Sequence, residues 1–125
     1  MTAVRFTLLA ALSLLPAACA AHPSTTPPKA AADASGTWRG TATRFQALSR
    51  SCPHPGLVSL LIWDDKFQYR WNASISVDAT IGADGTIAGQ APGITLVGKY
   101  ADGRIDGDVT NGDCGLHFTV VKKDN

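Results

Sequence analysis

The chain contains no glutamate; all ten of its acidic residues are Asp. Glu is a good helix former and Asp a turn former, so this bias counts against a helical domain and suits strands joined by tight turns. Charge of one sign is missing too. Eleven Lys and Arg against ten acids give a formal net charge of +1, which falls to near zero without Arg5. No basic field is present to hold nucleic acid. The sequence has no G-x-S-x-G, H-E-x-x-H, P-loop or C-x-x-C motif. Its histidines, His22, His54 and His117, stand beside no poised Ser. The chain is therefore expected to be no enzyme and to carry no cofactor.

Long apolar runs are also lacking. The stretch Phe6–Leu15 is too short to cross a bilayer as a helix. With Arg5 before it and Ala17 and Ala18 after it, residues 1–18 read as an export signal. Pro16-Ala17-Ala18-Cys19 resembles a bacterial lipoprotein box with Pro16 where Leu is usual, which makes Cys19 a lipidation site. Ala18-Cys19-Ala20 also fits ordinary secretion with cleavage after residue 20. With Ala20 following an acylated Cys19, analogy with bacterial lipoproteins favours the outer membrane, periplasmic side. The expected partners are the membrane itself and an envelope protein or a secreted hydrolase.

Residues 19–34 are mostly Ala, Pro, Ser and Thr, too poor in large apolar groups to fold, and read as a tether to a domain over residues 35–123. Of the three cysteines, removal or acylation of Cys19 leaves Cys52 and Cys114. In an exported chain this pair is expected to form a disulfide, contributing about 4 kcal/mol by the chain-entropy model.

What fills the domain is alternation. Ala73, Ile75, Val77, Ala79 and Ile81 alternate with polar residues, and the same face runs back through Phe67, Tyr69 and Trp71. Residues 66–81 thus form one long bent strand or two short ones. Upstream, the apolar run 57–63 joins Phe67 through a three-residue hairpin loop, Asp64-Asp65-Lys66. Downstream, ADGTIAGQ at 83–90 returns as ADGRIDGD at 101–108, each copy a turn followed by a strand. With turns at Pro92-Gly93 and Asn111-Gly112, strands are expected near 86–91, 94–100, 104–110 and 114–122. Gly40, Gly89, Gly98 and Gly107 fall on inward positions, where a stripe of glycine lets a small sheet curl. The fold class is all-β: a small antiparallel meander of seven or eight strands, curled into a barrel or barrel-like sandwich and stapled by one disulfide.

Gly36-Thr37-Trp38 resembles the G-x-W signature of the calycin superfamily, which includes lipocalins, avidins and small bacterial metalloprotease inhibitors. The resemblance implies that Trp38 plugs one barrel end and that a basic residue of the last strand, Lys122, packs over it. In a barrel this small Trp38, Trp63, Tyr69 and Trp71 are expected to fill the interior. Of the three groups, the protease inhibitors match best in size, export, single disulfide and an unstructured stretch before the barrel. That likeness implies an alternative function, inhibition of a periplasmic hydrolase. Their disulfide is local to the first strands, whereas Cys52 and Cys114 lie far apart.

Two further groups call for a reading. Phe67, Tyr69 and Trp71 alternate, with Trp63 facing Phe67 across the hairpin, and Trp63, Tyr69 and Trp71 serve as core or as a ligand-facing platform for sugar or lipid, core being the commoner use. Asp102, Asp106, Asp108, Asn111 and Asp113 suggest Ca²⁺, but the fifth loop position is Thr110 and the twelfth His117. They are read as solvated, with no metal. The function expected is that of a non-catalytic exported lipoprotein carrying a binding or envelope-accessory barrel.

Overall fold

The computed structural model describes residues 34–123. The leader, Cys19 and the tether up to residue 33 lie outside the described residues. Eight strands follow in order: β1 (Gly36–Ala47), β2 (Gly56–Ile62), β3 (Lys66–Arg70), β4 (Ser76–Ile81), β5 (Thr86–Ala91), β6 (Ile94–Ala101), β7 (Arg104–Thr110) and β8 (Cys114–Lys122). All pairings are antiparallel, and the sheet order is β2-β1-β8-β7-β6-β5-β4-β3. Every pair of sequence neighbours except β2 and β3 is hydrogen-bonded along its length, and β1 with β8 brings the two ends of the meander together. The result is a nearly closed barrel. Its seam lies between β2 and β3, which are bridged only at Trp63–Lys66.

Alternation along each strand decides which side chains enter. Trp38, Leu60, Leu96, Ile105, Phe118 and Val120 are among the side chains fully buried inside, and the described residues bury no polar or charged side chain. Tyr69 lies with its ring centroid 4.9 Å from that of Phe118, so aromatic rings from opposite parts of the sheet meet in the interior. The glycine stripe has a steric cause. A Cβ on Gly98 would stand 2.5 Å from the Asp106 carbonyl and one on Gly89 2.6 Å from that of Asp78. Only a residue without Cβ lets neighbouring backbones turn that tightly. On the outer face, Phe45 is the extra residue where the β1–β8 register shifts between Arg44 and Gln46, and its ring covers Gly115.

Turn chemistry sets the strand ends: it decides between one long strand and two over 66–81, shortens one expected loop, and makes the two repeat turns differ. The residues from 66 to 81 form two strands because Asn72 interrupts them. Its Oδ1 accepts from the amides of Ser74 and Ile75, both at 2.8 Å, drawing these residues into a turn and leaving Ala73 and Ile75 exposed. The β2–β3 loop has two residues instead of three. Asp64 and Asp65 take φ of 53° and 57°, and Trp63 and Lys66 exchange both backbone hydrogen bonds at 3.0 Å, as a type I′ turn requires. Each copy of the sequence repeat is a turn followed by a strand, as expected, but the two turns differ in form. Asp102-Gly103 is a two-residue turn with both φ positive, whereas Gly82–Gly85 is a four-residue loop in which Asp84 accepts from the Thr86 amide at 2.9 Å.

The disulfide Cys52–Cys114 is present and ties the loop after β1 to the first residue of β8, with Cα atoms 5.3 Å apart. Backbone bonding supports the junction. Leu48 N donates to Asp113 O at 2.8 Å, and Asn111 Oδ1 accepts from Cys114 N at 2.7 Å.

Candidate binding surface

At one barrel end the structure brings Gly36, Trp38 and Lys122 together. Lys122 is the cross-strand partner of Trp38, and its Cε would lie 3.1 Å from a Cβ on Gly36. Trp38 is fully buried, edge-on to Tyr100 at 5.5 Å, and its Nε1 donates to Ala34 O at 2.7 Å. Ala34, placed in the tether by composition, is thus packed into the barrel end. Its carbonyl satisfies a donor that would otherwise be buried without a partner.

Trp71 and Tyr69 also point inward, at 5% and 4% exposure, so neither is a surface platform; burial pushes the Tyr69 phenol pKa up. Trp63 does not fill the interior. It is 80% exposed, because pairing across a two-residue turn sets it opposite Lys66 on the outer face, while Phe67 turns in.

This outward Trp stands at an open recess of about 1200 Å³, bounded by Ser35, Leu61, Trp63 and the outer rungs Lys66–Thr80 and Gln68–Asp78 of β3 and β4. The recess is amphipathic. Leu61 is 70% exposed beside Trp63, whereas Gln68 Nε2 donates to Asp78 Oδ1 at 2.9 Å on the far side. Its position is fixed by backbone, since the turn is held by the Trp63–Lys66 pair and by Ile81 N donating to Asp65 O at 2.8 Å. The expected hairpin pairing with Phe67 singled out Trp63, but nothing in it showed that Gln68, Asp78 and Thr80 would face the same space.

Elsewhere the sequence-derived candidates part company. His54 lies at a smaller recess of about 350 Å³ on the seam, with Leu57, Tyr69 and Arg70. His117 sits on the outer face of β8, where Nδ1 donates to Asp108 Oδ1 at 2.7 Å. Thr119 donates to Asp106 at 2.6 Å and not to His117, so this ladder pairs no hydroxyl nucleophile with an imidazole base. Arg104 donates to Asp106 through Nε at 2.8 Å, and with Thr119 holds that carboxyl below the usual Asp range. Asp102 is at one end of β7 and Asn111 and Asp113 beyond the other. Among the described residues no three His, Cys or acidic side chains gather as a metal site. In comparisons with known proteins, the chain matches no family model, and no curated protein or solved structure is significantly similar to it.

Proposed function

We propose that the chain is an exported lipoprotein, acylated at Cys19, whose small barrel works by binding and not by catalysis, using the recess on its outside. The observation that carries this reading is Trp63. Of the three Trp side chains, Trp38 and Trp71 are buried, and Trp63 is held 80% exposed on a rigid turn. A large apolar ring kept in water costs free energy unless something covers it. Among the described residues, Trp38, Tyr69, Trp71 and Phe118 fill the interior. The placement of Lys122 beside Trp38 supports the calycin-like reading of the barrel. The lipobox-like stretch supports anchorage at the outer membrane, facing the periplasm.

The test is an isotope-labelled sample of the exported protein titrated with soluble fractions of its own cell envelope. Saturable resonance shifts confined to Leu61, Trp63, Gln68 and Asp78–Thr80 are expected. Shifts that avoid this face, or none with any fraction, refute the reading. Deleting residues 20–33 separates it from hydrolase inhibition by the preceding segment: binding at the recess survives that deletion, and inhibition does not.

A further inference from the structure

We infer that the ligand of the Trp63 recess is a neutral glycan, a pyranose ring lying on the indole with its hydroxyls turned to the β3–β4 rungs. The inference rests on the reading of the recess as a binding surface and names its ligand class. The chemistry of the two walls is complementary to a sugar. One wall is flat and apolar. The face of an indole carries negative quadrupole potential, and the axial C–H bonds of a pyranose present a patch of weakly positive hydrogens to it.

The other wall is polar and planar. Gln68 and Asp78 are locked to each other at 2.9 Å, which orients both groups and leaves Gln68 Oε1 and Asp78 Oδ2 without a protein partner among the described residues. Thr80 adds a hydroxyl one rung away. Fixed acceptors and a hydroxyl spaced along two rungs suit vicinal hydroxyls, each of which both donates and accepts. Because the Gln68–Asp78 pair exists before any ligand arrives, little ordering cost remains to be met on binding.

Charge decides against the other candidates. The ionisable groups bounding the recess are Asp64, Lys66 and Asp78, net one negative, with Asp65 next to them on the turn. Anionic lipid headgroups and phosphorylated ligands are repelled by such a rim. A purely apolar ligand would strip water from Asp78 and Lys66 without replacing their hydrogen bonds. The recess is open at its mouth, so that an internal unit of a longer chain can lie across it.

The experiment uses the exported, disulfide-intact protein and neutral oligosaccharides built on glucose, galactose, mannose and N-acetylglucosamine, with phospholipid vesicles and an unstructured peptide as other classes. The indole N–H resonance of Trp63 and the Gln68 side-chain amide are expected to shift together and saturate with at least one glycan. Trp63→Ala is expected to weaken that binding by about tenfold or more, Trp63→Phe by less, and Asp78→Asn by several-fold. Because Trp63 is exposed, the Ala variant is expected to melt within a few degrees of the parent, which removes unfolding as an explanation. If vesicles or peptide move these residues and no glycan does, the glycan assignment is overturned and the binding surface stands. If none of the three classes moves them, both fall. Equal glycan affinity in Trp63→Ala also overturns the assignment, since the sugar then binds elsewhere.

Discussion

Reducing the Cys52–Cys114 bond should cost the barrel a large part of its stability, and nearly all of the loss should arise in the unfolded chain. The bond spans a sequence separation of 62 residues. Closing a loop of that length removes denatured-state entropy equivalent to about 4 kcal/mol at 25 °C. The folded side changes little. Leu48 N still meets Asp113 O at 2.8 Å, Gln46 Nε2 still donates to Gly112 O at 3.1 Å, and the β1–β8 register still runs through Ala47–Cys114. A body of this size has a total stability of about 5–13 kcal/mol, so the bond accounts for a third of it or more. The melting temperature should fall by roughly 15–35 °C.

The assay is urea unfolding of the oxidised and the thiol-reduced wild type, followed by the fluorescence of the buried Trp38 and Trp71. Reduction keeps both sulfur atoms in place, whereas a Cys52→Ala/Cys114→Ala double variant adds cavities at two sites only 4% and 1% exposed and should lose more. The urea slope should steepen on reduction, because an uncrosslinked denatured chain exposes more surface. A difference below about 1 kcal/mol would refute the reasoning. It would mean that the denatured chain already holds these ends together.

Gly40→Ala should destabilise by about 3 kcal/mol or more in urea unfolding, since its Cβ would overlap the Thr119 carbonyl and reach within 2.8 Å of Val120 Cα, both backbone atoms of β8. Trp38→Phe keeps the ring but loses the 2.7 Å bond to Ala34 O, for an expected cost of about 1 kcal/mol plus the lost volume. Asp106 is held below the usual Asp range by Arg104 and Thr119, so its contribution is present at neutral pH and lost as pH falls through its folded pKa. Asp106→Asn should therefore be less stable than the parent at pH 7, and the difference should shrink as the pH falls and the Asp106 carboxylate is protonated. Leu57→Lys, at a side chain 93% exposed on the uncharged edge strand β2, should leave the melting temperature unchanged and lower light scattering at high concentration.

The strands from 86 onward were legible to within a residue because each is bounded by a turn whose residues dictate backbone conformation. Pro92-Gly93, with Gly93 at φ 75°, and Asn111-Gly112, with Gly112 at φ 95°, leave the flanking apolar alternation little freedom. The first hairpin was not legible. Residues 57–63 read Leu-Val-Ser-Leu-Leu-Ile-Trp, apolar on both faces, so alternation cannot say which side turns in. The loop length then decides. A three-residue loop puts Trp63 on the face of Phe67, a two-residue loop on the face of Lys66, and the difference is the whole functional assignment of the ring. A signal was available in Lys66: Phe67, Tyr69 and Trp71 fix the inward phase, and whatever pairs with Lys66 must face out. The Gln68–Asp78 wall was beyond sequence reading, because its two halves come from separate strands brought opposite each other by the register.

The point where the chain enters the barrel adds a geometric consequence. Ser35 bounds the same recess as Trp63, and the carbonyl of Ala34 before it accepts from the buried Trp38 indole N–H. The first described residues, Ala34 and Ser35, therefore lie beside the proposed ligand face, held there by a buried hydrogen bond. If Cys19 carries the acyl chains, the covalent path from it to Ser35 can span at most about 55 Å. The recess is then confined to a shell of that depth above the bilayer, whatever path the intervening residues take. A lipid-anchored binder with its site at the far end of the barrel would sweep a deeper volume and could face away from the membrane. With such an anchor the site would reach only what lies within that shell, and a polymer lying along the membrane surface would cross the open mouth of the recess without having to thread an enclosed cavity.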